Sequence, residues 1–213
     1  MADDLVLREQ LVAIVRRLDS LGLNRGSTGN VSVRGSAGGY WVTPTGMGAE
    51  IGADDLVWMG ADGSVRGAWQ PSSEAPFHRA VYQARADLQA VVHTHSVHAT
   101  ALACLRRSLP AFHYMVAVAG GDSIRCAPYA TFGTQALSNH AVRALRGRRA
   151  CLLANHGLIV LGESPAAALA LAIEVEFLAR QYCLSLLMGI PRILSKREMR
   201  VVLEKFKTYG NQN

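Results

Sequence analysis

Three histidines stand within the ten-residue segment VVHTHSVHAT, which runs from Val91 to Thr100. Two β-branched valines precede them, so the segment predicts a strand that ends in a His-x-His pair. Residues i and i+2 of a strand point to the same face, which would allow His93 and His95 to chelate one divalent ion. The same spacing is also typical of strand-end histidines that only form hydrogen bonds. A third ligand elsewhere in the chain would favour the metal.

A candidate third ligand follows another apolar run. His156 stands in ANHGLIV, directly after the segment ACLL, which is typical of a buried strand. Three imidazoles at the ends of neighbouring strands would leave one coordination position open, as catalytic zinc sites do. The remaining histidines lack such a partner or phase, and structural roles are expected for His78, His98, His113 and His140.

Three segments rich in glycine or hydroxyl groups could bind an anion. PSSE places Ser72, Ser73 and Glu74 before a predicted helix, where backbone N–H groups and hydroxyls favour phosphate. GSTGN and TPTGM combine glycine with hydroxyl or amide side chains, which suits an anion-binding turn. Each segment alone is also typical of a simple turn, and Glu74 alone of a helix cap. Their presence in one chain favours an anionic substrate, with Glu74 as an acidic group for the histidines.

The composition is that of a compact globular protein. The 213 residues are half hydrophobic and 18% charged, which fits one domain over residues 1–213. The acidic N-terminus resembles no signal peptide, and no apolar run is long enough to cross a membrane, so we expect a cytoplasmic protein. The net charge of +6 is dispersed rather than arranged as a basic stripe with aromatics, which argues against nucleic-acid binding.

The spacing of apolar residues predicts helices and strands that are mixed throughout the chain. Strands are predicted at VSVR, GYWVT, LQAVVHTH, HYMVAVAG, SIRCAPY and ACLLANH. This mixture predicts an α/β domain. Helices are predicted around Leu7–Leu18, after PSSE, and over Val97–Leu105, Thr134–Arg146, Pro165–Leu187 and Ser195–Phe206.

The chain resembles the class II aldolase/adducin family, because a series of motifs from residue 26 to residue 210 occurs in the same order as in that family. The motifs are GSTGNVSVR, TPTGM, PSSE, VVHTHSVH, APYATFGT and NHGL, and they cover essentially the whole chain. The HYM segment and the C-terminal VVLEKFKTYG are most similar to the L-fuculose-1-phosphate aldolases of that family. The resemblance implies a three-layer α/β/α fold with a central mixed, largely antiparallel sheet. It also implies a homotetramer with active sites between subunits.

The resemblance extends to the residues that would perform the chemistry. His93, His95 and His156 match the ligands of one Zn²⁺ per subunit. Glu74 matches the residue that binds the metal in the free enzyme and serves as acid/base once substrate displaces it. Tyr114 matches the proton donor for the aldehyde oxygen.

Other matched positions contact the two ends of a sugar phosphate substrate. Tyr209 and Phe132 match residues on the aldehyde side, and Ser27 stands where fuculose enzymes have threonine. The phosphate cradle of the family matches Gly29, Asn30, Thr45, Gly46, Ser72 and Ser73.

Aldol cleavage requires either a Schiff-base lysine or a Lewis-acid metal, because negative charge remains when the carbon–carbon bond breaks. The three lysines, Lys196, Lys205 and Lys207, all lie in a polar segment near the C-terminus. An iminium lysine needs a desolvated pocket instead, so the metal route remains. The resemblance thus implies a zinc-dependent aldolase that cleaves L-fuculose 1-phosphate into dihydroxyacetone phosphate and L-lactaldehyde.

Three alternatives differ from this interpretation in substrate or in class. A sibling aldolase would act on 5-deoxyribulose 1-phosphate or 5-methylthioribulose 1-phosphate, and the motifs do not separate it because they describe the shared half of the substrate. An epimerase of the ribulose-5-phosphate 4-epimerase type would make and break the same bond, although the tail with Tyr209 argues against it. An adducin-type interaction module would lack the metal ligands that are present here.

Overall fold

One nine-stranded sheet forms the centre of the computed structural model, which describes residues 4–208. The strands follow the order β4-β3-β2-β1-β5-β9-β8-β7-β6 across the sheet. All neighbouring strands pair antiparallel except β7 and β8, which are parallel, so the expected mixed, largely antiparallel sheet is confirmed. The strands are β1 Asn30–Arg34, β2 Tyr40–Val42, β3 Val57–Met59, β4 Val65–Arg66, β5 Ala90–Thr94, β6 Leu109–Pro110, β7 Ser123–Ala127, β8 Ala150–Leu153 and β9 Gly157–Gly162.

Helices cover both faces of this sheet and complete the expected three-layer α/β/α fold. They are α1 Leu5–Ser20, α2 Ala75–Ala84, α3 Val97–Cys104, α4 Gln135–Ala144, α5 Pro165–Met188 and α6 Lys196–Phe206. Side chains alternate between the faces along each strand, so Val92 packs with α1, α3 and α5 while Val91 packs with α2 and α4. No helix within residues 4–208 is both long enough and apolar enough to cross a membrane.

Side-chain caps explain why three helices begin where the sequence predicts. The hydroxyls of Thr134, Ser164 and Ser195 each accept a hydrogen bond from a backbone N–H of the first turn of α4, α5 and α6. At α6 the Glu198 carboxylate accepts a hydrogen bond from the Ser195 backbone N–H, which completes a capping box. Helix α5 ends at Met188, and Gly189 follows it as the C-cap residue.

The strand predicted at HYMVAVAG is wrong, because this segment forms a 3-10 helix over Tyr114–Ala119. The His113 ring accepts a hydrogen bond from the Met115 N–H at its start, and Gly120 ends it in the left-handed region at a φ of 88°. A short apolar run does not distinguish a buried strand from a buried helix by its periodicity. The change leaves Tyr114 half-exposed, at 50% of its surface.

Strand β9 is not among the strands predicted from the sequence, although it lies between β5 and β8 near the middle of the sheet. All six of its residues are buried, and they form a continuous apolar run rather than an alternating one. Strands with both faces covered lose the alternation that identifies a half-exposed strand. The short strands β3, β4 and β6 were likewise not predicted.

A carboxylate from α5 holds the start of α3. Glu176 Oε1 accepts hydrogen bonds from the His98 N–H and from His98 Nδ1, at 2.9 and 2.8 Å, and Glu176 Oε2 accepts one from the Ala99 N–H at 2.9 Å. These bonds satisfy N–H groups that a helix terminus otherwise leaves unpaired. They give His98 the structural role expected for it and fix the chain that follows β5.

Candidate metal centre

Strand register brings the candidate ligands to one edge of the sheet. Asn30 at the start of β1 pairs with His93 near the end of β5, and Thr94 pairs with Leu158 near the start of β9. The turn before β9 and the residue before α2 reach the same edge. The ligand atoms of four side chains lie within 4.8 Å of one another there: Glu74, His93, His95 and His156.

The amide side chain of Asn24 holds the end of β5. Its Oδ1 accepts a hydrogen bond from the His95 N–H at 3.0 Å, and its Nδ2 lies 3.5 Å from the His93 carbonyl oxygen. Gly29 has a φ of 72°, and a Cβ at this position would overlap the Asn24 amide. Sequence reasoning missed Asn24, because GLNRG is recognisable only as the break after a helix.

An asparagine in a left-handed conformation positions His156. Asn155 has a φ of 54°, a conformation that asparagine tolerates better than most residues. Its side-chain oxygen accepts a hydrogen bond from Arg106 Nε at 2.8 Å, and the His156 N–H donates to the Leu153 carbonyl oxygen at 3.0 Å. The tight turn between β8 and β9 therefore directs the His156 ring towards Glu74.

The hydrogen bond on the far side of His93 fixes its tautomer. His93 Nδ1 lies 2.9 Å from the Leu158 carbonyl oxygen, which can only accept, so the ring proton is on Nδ1. His93 Nε2 then carries a lone pair, and it lies 3.1 Å from Glu74 Oε2 and 3.0 Å from His95 Nε2. A bare lone pair that faces a carboxylate at this distance is repulsive, so the contact requires positive charge between the two atoms: a proton in the metal-free site, or a bound cation that replaces it.

Glu74 is a carboxylate in a largely neutral surrounding. Burial raises its pKa, but the contacts with His156 and His93 outweigh burial and hold the pKa well below its ordinary value. Burial, together with the nearby rings of His93 and His156, lowers the pKa of His95 to about 4. Near neutral pH the His95 ring is therefore uncharged and has a lone pair available for a metal.

The donor set fits a divalent cation. Three imidazoles and one carboxylate are typical zinc ligands, and tetrahedral coordination at about 2.0–2.1 Å would separate ligand atoms by roughly 3.3 Å. The closest contacts of His93 and His156 with Glu74 are both 3.1 Å. Glu74 Oε1 is buried and has no hydrogen-bond partner among the described residues, so a cation would satisfy it.

A pocket of about 350 Å³ opens beside these ligands. Phe132 lines its outer side and is 63% exposed, whereas Tyr114 is not among the residues that line it. Tyr209 lies outside the described residues. The pocket brings together every residue proposed for the phosphate cradle, along with Ser27: Gly29, Asn30, Thr45, Gly46, Ser72 and Ser73.

The family of the protein follows from this fold and site. The profile described as "Class II Aldolase and Adducin N-terminal domain" matches residues 9–183. The chain belongs to the class II aldolase and adducin family, and it is a class II aldolase, an enzyme type that depends on a metal. The family resemblance and the fold expected from it are both confirmed.

Individual relatives are similar along almost the full chain. A 5-methylthioribulose-1-phosphate/5-deoxyribulose-1-phosphate aldolase of Rhodospirillum rubrum is 50% identical over 208 residues, which cover 97% of this chain and 94% of the relative. An L-fuculose phosphate aldolase of Escherichia coli K12 is 50% identical over 206 residues, with 96% and 95% covered. A solved structure of an L-fuculose 1-phosphate aldolase superposes with a TM-score of 0.90 at 42% identity, covering 94% of this chain and 95% of the other.

We expect the protein to bind one divalent ion per chain and His93→Ala to abolish this binding. His93 Nε2 contacts two of the other ligands, so its loss should exceed the roughly 10- to 100-fold effect of removing a partner that only supports a ligand. Competition with a chromophoric chelator measures the affinity for Zn²⁺. His140→Ala is the matched control, since its ring lies away from the four ligands and its Nδ1 bonds to the Pro128 carbonyl oxygen. Equal affinities of the two variants would contradict the assignment.

Proposed function

We propose that the protein is a zinc-dependent aldolase that reversibly cleaves L-fuculose 1-phosphate into dihydroxyacetone phosphate and L-lactaldehyde. The observation that carries this proposal is the convergence of one carboxylate and three imidazoles on a pocket whose rim is rich in hydroxyl groups and glycine. The L-fuculose phosphate aldolase of Escherichia coli supports the choice of substrate.

The distribution of lysines supports the metal route. Lys196 and Lys205 lie on α6 and Lys207 directly follows it, and the last forms an ion pair with Glu204 at 2.7 Å. No lysine of residues 4–208 lines the pocket. A divalent cation held by His93, His95 and His156, with Glu74 as a further ligand until substrate displaces it, would supply a Lewis acid that offsets negative charge on the ketone side of the substrate.

Glu74 is placed to move the proton at carbon 3 of the substrate. Its carboxylate is buried at the pocket and lies at the start of α2, beside the apolar side chains of Ala75 and Phe77. In synthesis the carboxylate removes a proton from carbon 3 of dihydroxyacetone phosphate. In cleavage it delivers a proton there, which it takes up once substrate displaces it from the metal and from the histidines that hold its pKa low. Positioned acid/base groups of this kind contribute about 10²–10⁴-fold to a rate.

The opposite side of the pocket suits a phosphate group. Ser73 is exposed there, next to the N-terminus of α2, and Thr45 and Gly46 approach from the loop after β2. A β-bridge between Pro44 and Pro71 joins the two loops. With no lysine present, binding relies on hydroxyls, backbone N–H groups and the partial positive charge of the helix terminus.

The aldehyde half would lie against the apolar rim. Tyr129, Ala130 and Phe132 line this side of the pocket, and the two aromatic rings are more than half exposed. Such a surface suits the methyl group of L-lactaldehyde. It also suits other small apolar aldehydes, so the choice of aldehyde depends on the residues of this rim.

The role of Tyr114 requires a second subunit. Tyr114 is half-exposed and does not line the pocket of its own chain, so it would act in the pocket of a neighbouring subunit of a homotetramer. Exposed apolar side chains near the end of α5 support such an assembly, since contiguous apolar surface is typical of subunit contacts. Leu187, Met188 and Ile190 are 84%, 90% and 96% exposed.

A second candidate function is favoured by the relative in Rhodospirillum rubrum. That relative is named as an aldolase of 5-methylthioribulose 1-phosphate and 5-deoxyribulose 1-phosphate, and its identity to this chain is also 50%. The chemistry at the metal and at Glu74 would be the same. Only the aldehyde product would differ.

An aldehyde panel separates these candidates. The zinc-loaded protein is incubated with dihydroxyacetone phosphate and L-lactaldehyde, acetaldehyde or a methylthio-aldehyde, and the products are identified. We expect a preference of about 10-fold or more for L-lactaldehyde, because one well-placed hydroxyl contact is worth roughly 1–1.5 kcal/mol. Preference for either of the other aldehydes would establish the second candidate instead, and no product with any aldehyde would contradict both.

Ser73→Ala should weaken binding of dihydroxyacetone phosphate about 10-fold or more. A hydrogen bond to a charged group contributes roughly 1.5–3 kcal/mol, and Ser73 is the exposed hydroxyl beside the N-terminus of α2. Ser64→Ala is the control, since this hydroxyl bonds to Asp62 away from the pocket. Unchanged affinity in Ser73→Ala, measured by titration calorimetry, would remove Ser73 from the cradle.

Substitutions at Glu74 and Tyr114 should separate the two proton transfers. Glu74→Gln should abolish both cleavage and exchange of solvent hydrogen into dihydroxyacetone phosphate. Tyr114→Phe should slow cleavage by about 10²–10⁴-fold and leave exchange intact, because no aldehyde takes part in exchange. Exchange measured by NMR is thus the internal control for folding and metal binding. Equal loss of both activities in Tyr114→Phe would assign it a structural role.

A further inference from the structure

The side chain of Asn30 is fully engaged inside the protein. Its Nδ2 donates a hydrogen bond to Glu74 Oε2 at 2.9 Å, and its Oδ1 lies 2.6 Å from His78 Nε2. The amide therefore spans the space between the carboxylate and a buried histidine. A side chain held at both ends in this way cannot turn as a whole towards a phosphate group, and only the second N–H of Nδ2 is left for another acceptor.

The Glu74 carboxylate fixes the direction of every hydrogen bond in a series that continues through the side chains of Asn30, His78, Ser32 and Tyr82. Because Glu74 can only accept, the amide nitrogen of Asn30 must face it, and the amide oxygen then accepts from His78 Nε2. His78 Nδ1 is left with a lone pair, which accepts from the Ser32 hydroxyl at 2.6 Å. The Tyr82 hydroxyl donates to Ser32 Oγ at 2.8 Å, a shorter contact than its 3.4 Å to the Gln89 carbonyl oxygen.

This series of hydrogen-bonded side chains is enclosed by the core between the sheet and α2. Ser32 and His78 have no exposed surface, and the ring of Phe77 stacks on the ring of His78 with centroids 4.5 Å apart. Burial, with a smaller contribution from His93, lowers the pKa of His78 to about 3, so the ring is neutral. A buried polar network with all members satisfied is rigid and specifies one arrangement.

The two oxygens of Glu74 consequently have different surroundings. Oε2 accepts the Asn30 hydrogen bond and lies 3.1 Å from His93 Nε2. Oε1 lies 3.1 Å from His156 Nε2 but accepts no hydrogen bond from the described residues. His156 lines the pocket, whereas His93 is fully buried behind it, so Oε1 is the oxygen nearer to the pocket, although its own surface is covered by neighbouring side chains.

We propose that Asn30 and His78 are positioning residues that hold Glu74 by Oε2 and leave Oε1 as the oxygen that exchanges the proton with the substrate. The second half of this inference rests on the proposed aldolase function, whereas the first half does not. Asn30 would thus act on the carboxylate rather than serve as a phosphate ligand through its side chain.

The proton transfer balances on this arrangement. Glu74 first takes up a proton from solvent on Oε1. In cleavage the bond between carbons 3 and 4 breaks, the hydroxyl on carbon 4 releases its proton to solvent through the Tyr114 hydroxyl and becomes the aldehyde, and the electron pair remains on carbon 3. The proton on Oε1 moves to carbon 3, where this electron pair forms the new C–H bond. Oε1 keeps the electrons of its O–H bond, and the Asn30 N–H stabilises the resulting carboxylate through Oε2.

His78→Phe and His78→Gln test the positioning without requiring activity. Phenylalanine keeps the ring and loses the donor, whereas glutamine retains an N–H that can reach Asn30 Oδ1. We expect His78→Phe to lower the affinity for Co²⁺ about 10- to 100-fold and to change its visible absorption spectrum, and His78→Gln to stay within about three-fold. Tyr40→Phe is the control. It removes a buried hydroxyl from the same core, and this hydroxyl takes no part in the hydrogen bonds that connect Glu74 to Tyr82. Equal Co²⁺ affinities and spectra in both His78 variants would overturn the proposal.

Asn30→Ala provides a second test that tolerates failure of His78→Phe to fold. We expect its Co²⁺ affinity to fall as in His78→Phe. The variant that combines Asn30→Ala with His78→Phe should bind Co²⁺ no more weakly than either single variant, because both residues act through the same series of hydrogen bonds. For solvent exchange into dihydroxyacetone phosphate, kcat should fall about 10-fold while KM stays within about two-fold. A raised KM and weaker inorganic phosphate binding, with Co²⁺ affinity unchanged, would return Asn30 to the phosphate cradle and overturn the proposal. Absence of cleavage in the unsubstituted protein would instead refute the proposed function and leave the Co²⁺ result interpretable.

Discussion

A carboxylate buried among imidazoles is the constraint on which the site depends. Removing a charge from water costs several kcal/mol, and it is tolerated only where opposite charge or hydrogen bonds compensate. Glu74 meets this condition through His93, His156 and the Asn30 amide, all within 3.1 Å of its oxygens. The arrangement is stable only if each partner is itself held, which is why so many buried polar groups accumulate behind it.

The sheet supplies this rigidity by its register. A shift of one residue between β5 and either neighbour would turn His93 to the opposite face, where α1, α3 and α5 pack. The register is secured because β5 and β9 are buried along their entire lengths, so a slip would also misplace every apolar side chain of both strands. The same strand register therefore determines both the stability of the core and the geometry of the ligands.

The parts of the site that were predictable from sequence are those with local patterns. The His-x-His pair needs only the period of a strand, and the PSSE segment needs only the start of a helix, so both were found. Asn24 and Asn155 act through contacts with residues about 70 and 50 positions away, and no local pattern marks them. His78 was correctly expected to be structural, but its connection to Glu74 through Asn30 depends on how β1 packs against α2. Tyr114 was assigned to a strand, because small apolar residues satisfy a strand and a tight helix equally well. The ligand roles themselves stay predictions.

The two ends of the pocket belong to different kinds of structure. The end beside the metal ligands is formed by strands, a helix start and buried hydrogen bonds, whereas the rim formed by Tyr129, Ala130 and Phe132 lies on an exposed loop between β7 and α4. Substitutions on an exposed loop usually cost little stability, because few buried contacts are lost. A lineage could therefore exchange one aldehyde for another by changing a few rim residues while the buried network remained untouched. This division of the pocket is a physical reason why relatives named for different substrates can each be 50% identical to this chain.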